Sequence, residues 1–140
     1  MLLLDNSAWA RLELVSLSAA RRAQVAGMIE NGDLAVCTPF LLEAGWSARS
    51  HTHHQGLLAD LLQLPRLRID ADVEDAALDA QNDLARRGHH RSASPSDLLI
   101  AACAHNNGAG VLHYDRDYDV IGELTGLVFE SEWLAPAGTL

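Results

Sequence analysis

Short apolar runs alternate with longer amphipathic stretches along this chain. The runs lack the polar alternation of a half-exposed strand, so they predict strands that are buried on both faces of a parallel sheet. Three such strands are predicted at residues 2–4, 34–37 and 111–114, and two further short strands at residues 67–69 and 127–129.

Helices are predicted between these strands from apolar residues spaced three and four positions apart. The predicted helices cover residues 19–30, 57–64, 73–87 and 120–124, and three more begin at residues 8, 39 and 95. Strands that alternate with helices predict an α/β fold with a mostly parallel central sheet.

Capping residues set the expected ends of several helices. Ser7 and Thr38 are predicted as N-caps, because their hydroxyls suit the exposed amides at a helix start. Gly88 is predicted to end the helix before it, since glycine adopts the left-handed conformation of a helix end. Residues 51–55 are polar, and we expect a surface turn or a frayed helix end there.

Composition is that of an ordinary globular protein with one domain over residues 1–140. Cys37 and Cys103 lie in apolar surroundings, so we expect buried free thiols in a reducing compartment. The N-terminus has no basic segment typical of a signal peptide, and no apolar stretch reaches the length of a membrane helix. The sequence therefore predicts a cytoplasmic protein with no membrane partner.

Charge narrows the possible chemistry. The formal net charge is −9, and every one of the ten basic residues is arginine. The lack of lysine excludes Walker-A nucleotide binding and Schiff-base catalysis. An acidic chain is a poor partner for nucleic acid unless bound divalent cations invert the local charge.

Four carboxylates stand where an α/β sheet binds its ligands. Asp5 ends the first predicted strand and Asp115 ends the third, while Glu43 and Asp97 lie near the starts of two helices. Ligands of open α/β sheets bind outside the carboxyl ends of the strands. Acids brought together there repel one another unless a cation compensates them, and an all-oxygen set suits Mg²⁺ or Mn²⁺.

Each acid also has a plainer interpretation. Asp97 could be no more than a helix cap, Asp5 could form an Asx turn, and Glu43 could be a solvated helix residue. Asp119, further along the last acidic segment, is expected at the surface or as a helix cap. The combination of the four acids, rather than any one of them, predicts a metal site.

The acidic segments resemble the PIN-domain family, and within it the VapC-type toxins of bacterial toxin–antitoxin pairs. The resemblance rests on residues 2–9, 38–43, 96–104 and 112–118, which occur in the order of the family and span nearly the whole chain. Asn6 stands where the family often has threonine, whereas Ser7 matches a polar residue that supports the site. The resemblance implies a three-layer α/β/α sandwich.

The resemblance also implies an activity and partners. It implies a Mg²⁺-dependent endoribonuclease (Mn²⁺ being an alternative ion) that acts as a homodimer and is inhibited by a VapB-like antitoxin. The implied catalytic residues are Asp5, Glu43, Asp97 and Asp115, and the implied metal ligands are Asp5, Asp97, Asp115 and Asp117. Two alternatives stay open: a catalytically silent PIN-like binding module, and a phosphatase with Asp5 as nucleophile. The phosphatase is disfavoured because such enzymes need a second Asp at position 7 and a lysine.

Four arginines are candidates for RNA binding, whereas the clustered histidines and two of the tryptophans are not expected to have a role in the chemistry. Arg86, Arg87, Arg91 and Arg116 are candidate phosphate contacts beside the acidic site. His51, His53 and His54 have no acidic or cysteine partners, so we expect a surface segment rather than a zinc site. Trp9 and Trp46 lie on apolar helix faces and are expected in the core or in an interface.

Overall fold

The computed structural model describes residues 1–140 and contains one sheet of four parallel strands in the order β2-β1-β3-β4. The strands are β1 (Leu2–Leu4), β2 (Leu34–Ala35), β3 (Gly110–His113) and β4 (Ser131–Trp133). Every strand pair is parallel, so all four carboxyl ends lie at the same edge of the sheet. The predicted mostly parallel sheet is confirmed, and it is parallel throughout.

Seven helices connect and cover the strands. They are α1 (Asn6–Trp9), α2 (Ala19–Glu30), α3 (Thr38–Trp46), α4 (His51–Leu61), α5 (Ala71–Arg86), α6 (Pro95–Asn106) and α7 (Asp117–Leu124). Parallel strands need such crossover helices, because a tight turn cannot return the chain to the same end of the sheet. None of the seven is both long and apolar enough to cross a bilayer.

The central strands and α6 form the middle of the core. Leu3 and Leu4 of β1 are completely buried, and so are Ile100 and Ala101 of α6. Burial on both faces explains why β1 reads as an uninterrupted apolar run. The first residue of β3, Gly110, must be glycine, because a Cβ at this position would lie 2.7 Å from the carbonyl oxygen of Glu130.

Two predicted N-caps are shifted along the chain. Asp5, rather than Ser7, caps α1, and its carboxylate accepts a hydrogen bond from the backbone N–H of Ser7 at 2.8 Å. Cys37 rather than Thr38 is the N-cap of α3, so Thr38 is already helical. Cys37 has the extended backbone of an N-cap but makes no side-chain cap bond. The prediction fell on Thr38, one residue later, because Thr38 has the hydroxyl that a cap usually supplies.

Three other predictions were wrong in position or type. Residues 67–69 form no strand, and the one bridge in this region pairs Val36 with Arg66, the residue before them. The last strand is Ser131–Trp133 rather than residues 127–129, because the register with β3 pairs Val111 with Ser131. Residues 51–55 are the first turns of α4, which Ser50 caps through a bond from the N–H of His53.

Candidate active site

Four aspartates converge at the carboxyl edge of the sheet. Asp5 directly follows β1, Asp115 lies two residues after β3, Asp117 opens α7, and Asp97 is in the first turn of α6. Oxygens of Asp97, Asp115 and Asp117 all lie within 4.8 Å of one another. The fold thus brings together three of the acids that the sequence singled out, in the spacing that a single cation can bridge.

Asp5 lies next to this group and is almost fully buried, with 3% of its surface exposed. One carboxylate oxygen accepts bonds from the backbone N–H and the hydroxyl of Ser7. The other oxygen accepts a bond from the hydroxyl of Tyr118 at 2.7 Å, and that hydroxyl also lies 3.3 Å from Asp97 Oδ1. Tyr118 therefore links Asp5 to the three-aspartate group.

Ser7 joins the ends of the two central strands. Its hydroxyl donates to Asp5 after β1 and accepts a bond from the backbone N–H of Tyr114 after β3, at 2.9 Å. A hydroxyl can donate and accept at once, whereas an ionised carboxylate only accepts and an ammonium group only donates. The supporting role that the resemblance implies for Ser7 stays a prediction, and these two contacts are the ones through which it would act.

Electrostatic strain is concentrated on Asp97. Burial raises the pKa of its carboxyl to about 7, and the negative charges of Asp5 and Asp115 add to the shift. The pKa of Asp117 is also raised, first by burial and then by Asp115. No arginine compensates these acids, because the two ion pairs of the molecule are Arg21–Glu132 and Arg86–Asp83. A dense, uncompensated set of carboxylate oxygens fits a hard divalent cation such as Mg²⁺ or Mn²⁺.

Glu43 lies on α3, outside the three-aspartate group. It is half-buried and lines a groove of about 900 Å³, together with Asn6 and Ser96, the chain neighbours of Asp5 and Asp97. The exposed apolar side chains of Leu42 and Trp46 line the same groove. Glu43 therefore lies on the wall of a groove that chain neighbours of two of the aspartates also line.

Comparison with known proteins identifies the family. The sequence model of the PIN domain matches residues 2–124. The chain belongs to the PIN-domain family. Ribonuclease VapC51 of Mycobacterium tuberculosis is 40% identical, with 99% of this chain and 96% of the relative aligned. Ribonuclease VapC18 of the same organism is 37% identical, with 97% of this chain and 96% of the relative aligned.

Solved structures confirm the fold of this PIN domain. A DNA-bound VapBC complex from Salmonella typhimurium matches with a TM-score of 0.71 at 19% identity, covering 96% of this chain and 100% of the other. VapBC2 from Rickettsia felis, bound to a promoter DNA fragment, matches with a TM-score of 0.70 at 16% identity, covering 92% and 96%. The expected three-layer α/β/α sandwich is therefore confirmed.

The candidate phosphate-binding arginines are dispersed over this PIN domain. Arg116 is exposed between Asp115 and Asp117. Arg86 and Arg87 instead line a separate cavity of about 300 Å³, where Arg86 lies 3.8 Å from Asp83. Arg91 is exposed in the loop before α6 and makes no ion pair. Of the four, only Arg116 adjoins the acids in the chain, and it lines a cavity with Arg21, Asp119 and Trp133.

Arg11 is a further basic residue near the site that the sequence analysis missed. Its guanidinium donates to the backbone carbonyl of Ser7 at 2.8 Å and lies over the ring of Tyr114, 4.7 Å from the centroid. Nothing in the local pattern distinguishes Arg11 from the other surface arginines. Its position four residues after Ser7 on a helical turn is the only available signal.

Aromatic and histidine side chains fall largely where they were expected. Trp9 is half-buried and packs edge-on against Phe40, with ring centroids 6.5 Å apart. Trp46 is 90% exposed on the groove, which suits an interface rather than the core. The three histidines of residues 51–54 are exposed and belong to no group of metal ligands.

Asp119, which was expected at the surface or as a cap, lies in the first turn of α7 and lines an open cavity. It is half-buried and accepts hydrogen bonds from the Ser131 hydroxyl at 2.7 Å and the Trp133 indole N–H at 3.0 Å. Ser131 in turn contacts the ring of His113, which is completely buried, and burial lowers the pKa of His113. Asp119, Ser131 and His113 are therefore not part of the aspartate group, but His113 contacts it through the backbone N–H of Asp115.

Proposed function

We propose that residues 1–140 form a single PIN domain that is a Mg²⁺-dependent endoribonuclease, the toxin of a type II toxin–antitoxin pair. One observation carries the proposal: three uncompensated carboxylates within 4.8 Å of one another at the ligand-binding edge of the sheet. The match to proteins named ribonuclease VapC at 33–40% identity supports the same chemistry. RNA phosphodiester bonds would be hydrolysed by an activated water.

The acids have distinct proposed parts. Asp97, Asp115 and Asp117 would hold Mg²⁺, or Mn²⁺ in its place. When bound, the ion supplies Lewis acidity, which activates water and offsets the charge of the phosphate. Asp5, which Ser7 and Tyr118 hold beside these three acids, stays a predicted fourth metal ligand.

Glu43 supplies a carboxylate on the groove wall, where it can accept a proton from the attacking water. The contacts of Asp5 disfavour the phosphatase alternative. A carboxylate nucleophile needs a free oxygen that faces the phosphorus, yet both oxygens of Asp5 accept hydrogen bonds and the residue is buried. We therefore propose water, rather than a side chain, as the nucleophile.

RNA would bind through local contacts rather than through the overall field. With a net charge of −9, the protein repels a polyanion at long range, and the bound cation must reverse that sign at the site. Arg116 is the proposed phosphate contact closest to the acids, whereas Arg86, Arg87 and Arg91 stay predictions for more distant nucleotides.

Removal of the metal is expected to abolish RNA cleavage. Excess EDTA should stop cleavage of a mixed RNA substrate, and Mg²⁺ or Mn²⁺ in excess of the chelator should restore it, because the aspartates alone cannot activate water. Circular dichroism in EDTA provides the control that the protein is still folded. Undiminished cleavage in EDTA would contradict the mechanism, and no cleavage with either metal would favour the catalytically silent module.

We further propose a VapB-like antitoxin as the partner that covers the groove beside the acids. The groove combines the exposed apolar side chains of Leu42 and Trp46 with the carboxylates of Glu43 and Glu74, so it suits a segment that is apolar and basic. Such a segment can place a cation among the aspartates without Mg²⁺. The homodimer implied by the resemblance stays a prediction that the mass in solution tests.

Trp46→Ala is expected to weaken antitoxin binding by about 30-fold or more, as is typical for loss of a buried aromatic at the centre of an interface. The measurement is the dissociation constant for the complex with a VapB-like antitoxin. Val15→Ala is the matched control, because Val15 is fully exposed and lies outside the groove. Equal losses for the two variants would contradict the groove as the binding surface.

A further inference from the structure

A chain of hydrogen bonds begins beneath the turn that connects β3 to α7. His113, the last residue of β3, is completely buried, and its Nδ1 accepts a bond from the backbone N–H of Asp115 at 3.1 Å. Its Nε2 lies 2.7 Å from the hydroxyl oxygen of Ser131 on β4. Because Nδ1 accepts, the proton of the neutral ring is on Nε2, which donates to Ser131.

The chain ends on a carboxylate of α7. The Ser131 hydroxyl donates to one oxygen of Asp119 at 2.7 Å, and the Trp133 indole N–H donates to the other at 3.0 Å. The bonds from Asp115 to Asp119 therefore run in one direction, with each donor matched to an acceptor. A charged acceptor at the end strengthens the chain and fixes the orientation of each member.

This arrangement immobilises the turn that carries two of the proposed metal ligands. The backbone N–H of Asp115 is held by His113, and the Asp115 carboxylate accepts a bond from the N–H of Asp117 at 3.0 Å. The His113 ring lies between the rings of Tyr118 and Trp133, at centroid distances of 4.8 and 5.1 Å. The ring cannot turn over without breaking both its hydrogen bonds and its packing.

His113 is not itself a suitable metal ligand. Both ring nitrogens are engaged in hydrogen bonds and the ring has no exposed surface, so no lone pair faces the aspartates. What the ring does is restrain the backbone next to a ligand. Partners of this kind around metal ligands typically change metal affinity or activity by about 10- to 100-fold when they are removed.

We propose that His113 is a positioning residue of the metal site: held by Ser131 and Asp119, it fixes the β3–α7 turn and thereby the carboxylates of Asp115 and Asp117. The inference rests on the proposed metal-dependent function and deepens it. It gives a role to the buried hydrogen bonds among His113, Ser131 and Asp119, which do not themselves take part in the hydrolysis of RNA. It also explains why Asp119, although close in sequence to the ligands, points away from them.

The test measures the midpoint Mg²⁺ concentration, at which half of the folded protein has bound the ion, by calorimetric titration at about 25 °C; melting temperatures are recorded beside it. His113→Phe keeps an aromatic ring but loses both hydrogen bonds, and it should raise that midpoint concentration by about 10-fold or more. His113→Asn has a side-chain oxygen that can still accept the N–H of Asp115, so the rise should be smaller. A purely structural contribution would lower the melting temperature without Mg²⁺ and leave the midpoint unchanged.

His105 provides a matched control. Its Nδ1 also accepts a backbone N–H, from Val128 at 2.9 Å, but it lies eight residues after Asp97 on α6, about 12 Å further along the helix. His105→Phe should therefore leave the Mg²⁺ midpoint of the wild type unchanged, whatever it does to the melting temperature. Equal midpoints for the wild type, His113→Phe and His105→Phe would overturn the proposal.

Ser131 tests the chain even if His113→Phe does not fold. Ser131→Ala removes the acceptor of the His113 ring and should raise the midpoint several-fold, whereas Ser131→Thr retains the hydroxyl and should restore the wild-type value. A Ser131→Ala midpoint equal to that of the wild type would show that the hydrogen bonds through Ser131 do not position the metal ligands, and would overturn the proposal. A wild-type protein that Mg²⁺ does not stabilise at all would overturn the proposed metal site, and with it this inference.

Discussion

Asp97→Asn is expected to lower the rate of RNA cleavage by at least about 100-fold, which corresponds to about 2.7 kcal/mol of transition-state stabilisation. The amide has nearly the shape of the carboxylate but lacks its negative charge, so it holds a divalent cation poorly. Asp97 is the most central ligand candidate, because it is buried and is affected by the charges of Asp5, Asp115 and Asp117. Cleavage of a labelled RNA under single-turnover conditions gives the rate.

The same change should not unfold the protein. The Ser94 hydroxyl caps α6 through the backbone N–H of residue 97, and that bond does not involve the substituted side chain. Asp83→Asn is the control for loss of a carboxylate elsewhere, since Asp83 accepts the N–H of Gly126 and contacts Arg86. We expect wild-type cleavage from it. Similar cleavage rates for the two variants would contradict the assignment of the metal site.

The positions of the acids could be predicted because they follow from local pattern. Leu2–Leu4 and the residues around β3 are uninterrupted apolar runs, so the acids that follow them must lie at the edge of the sheet. Asp97 follows from the Ser-Pro signal that opens α6. No long-range information was needed to place these acids at one end of the fold.

The residues beneath the acids could not be predicted in this way. Tyr118 bonds to Asp5 across 113 residues of sequence, and His113 bonds to Ser131 across 18. Such contacts depend on which strands are neighbours and in which register. The sequence placed the last strand at residues 127–129, so Ser131 fell outside every predicted element and its partners went unrecognised.

The error at the last strand has a physical cause. Leu127 is buried and Phe129 packs against Tyr118 with centroids 6.4 Å apart, so both contact the core from a segment without strand pairing. β4 itself is an edge strand whose three residues are only half-buried. The apolar residues 127–129 thus predict a contact with the core correctly, but they do not predict the hydrogen-bonded strand, which begins four residues later at Ser131.

The stability of the metal-free protein is expected to fall as the pH rises from about 4 to about 7, by on the order of 4 kcal/mol for Asp97 alone. In the folded protein the pKa of Asp97 is raised from 3.8 to about 7, chiefly by burial. Between these values the unfolded chain has released the proton and the folded chain has kept it, so rising pH favours unfolding. Above the folded pKa both states are ionised and the loss is complete.

Mg²⁺ should reverse this dependence, because it binds the ionised carboxylates and must displace the proton of Asp97 below pH 7. A fixed Mg²⁺ concentration should therefore raise the melting temperature more at pH 8 than at pH 6. The measurement compares melting temperatures of the wild type and Asp97→Asn in EDTA and in Mg²⁺ between pH 5 and 8. Asp97 is not among the causes of the lowered pKa of His113, so the contribution of His113 occurs in both proteins and cancels in the difference. Parallel curves for the two proteins in EDTA would show that Asp97 is not the strained acid, and the charge repulsion that favours a cation would have to reside elsewhere in the site.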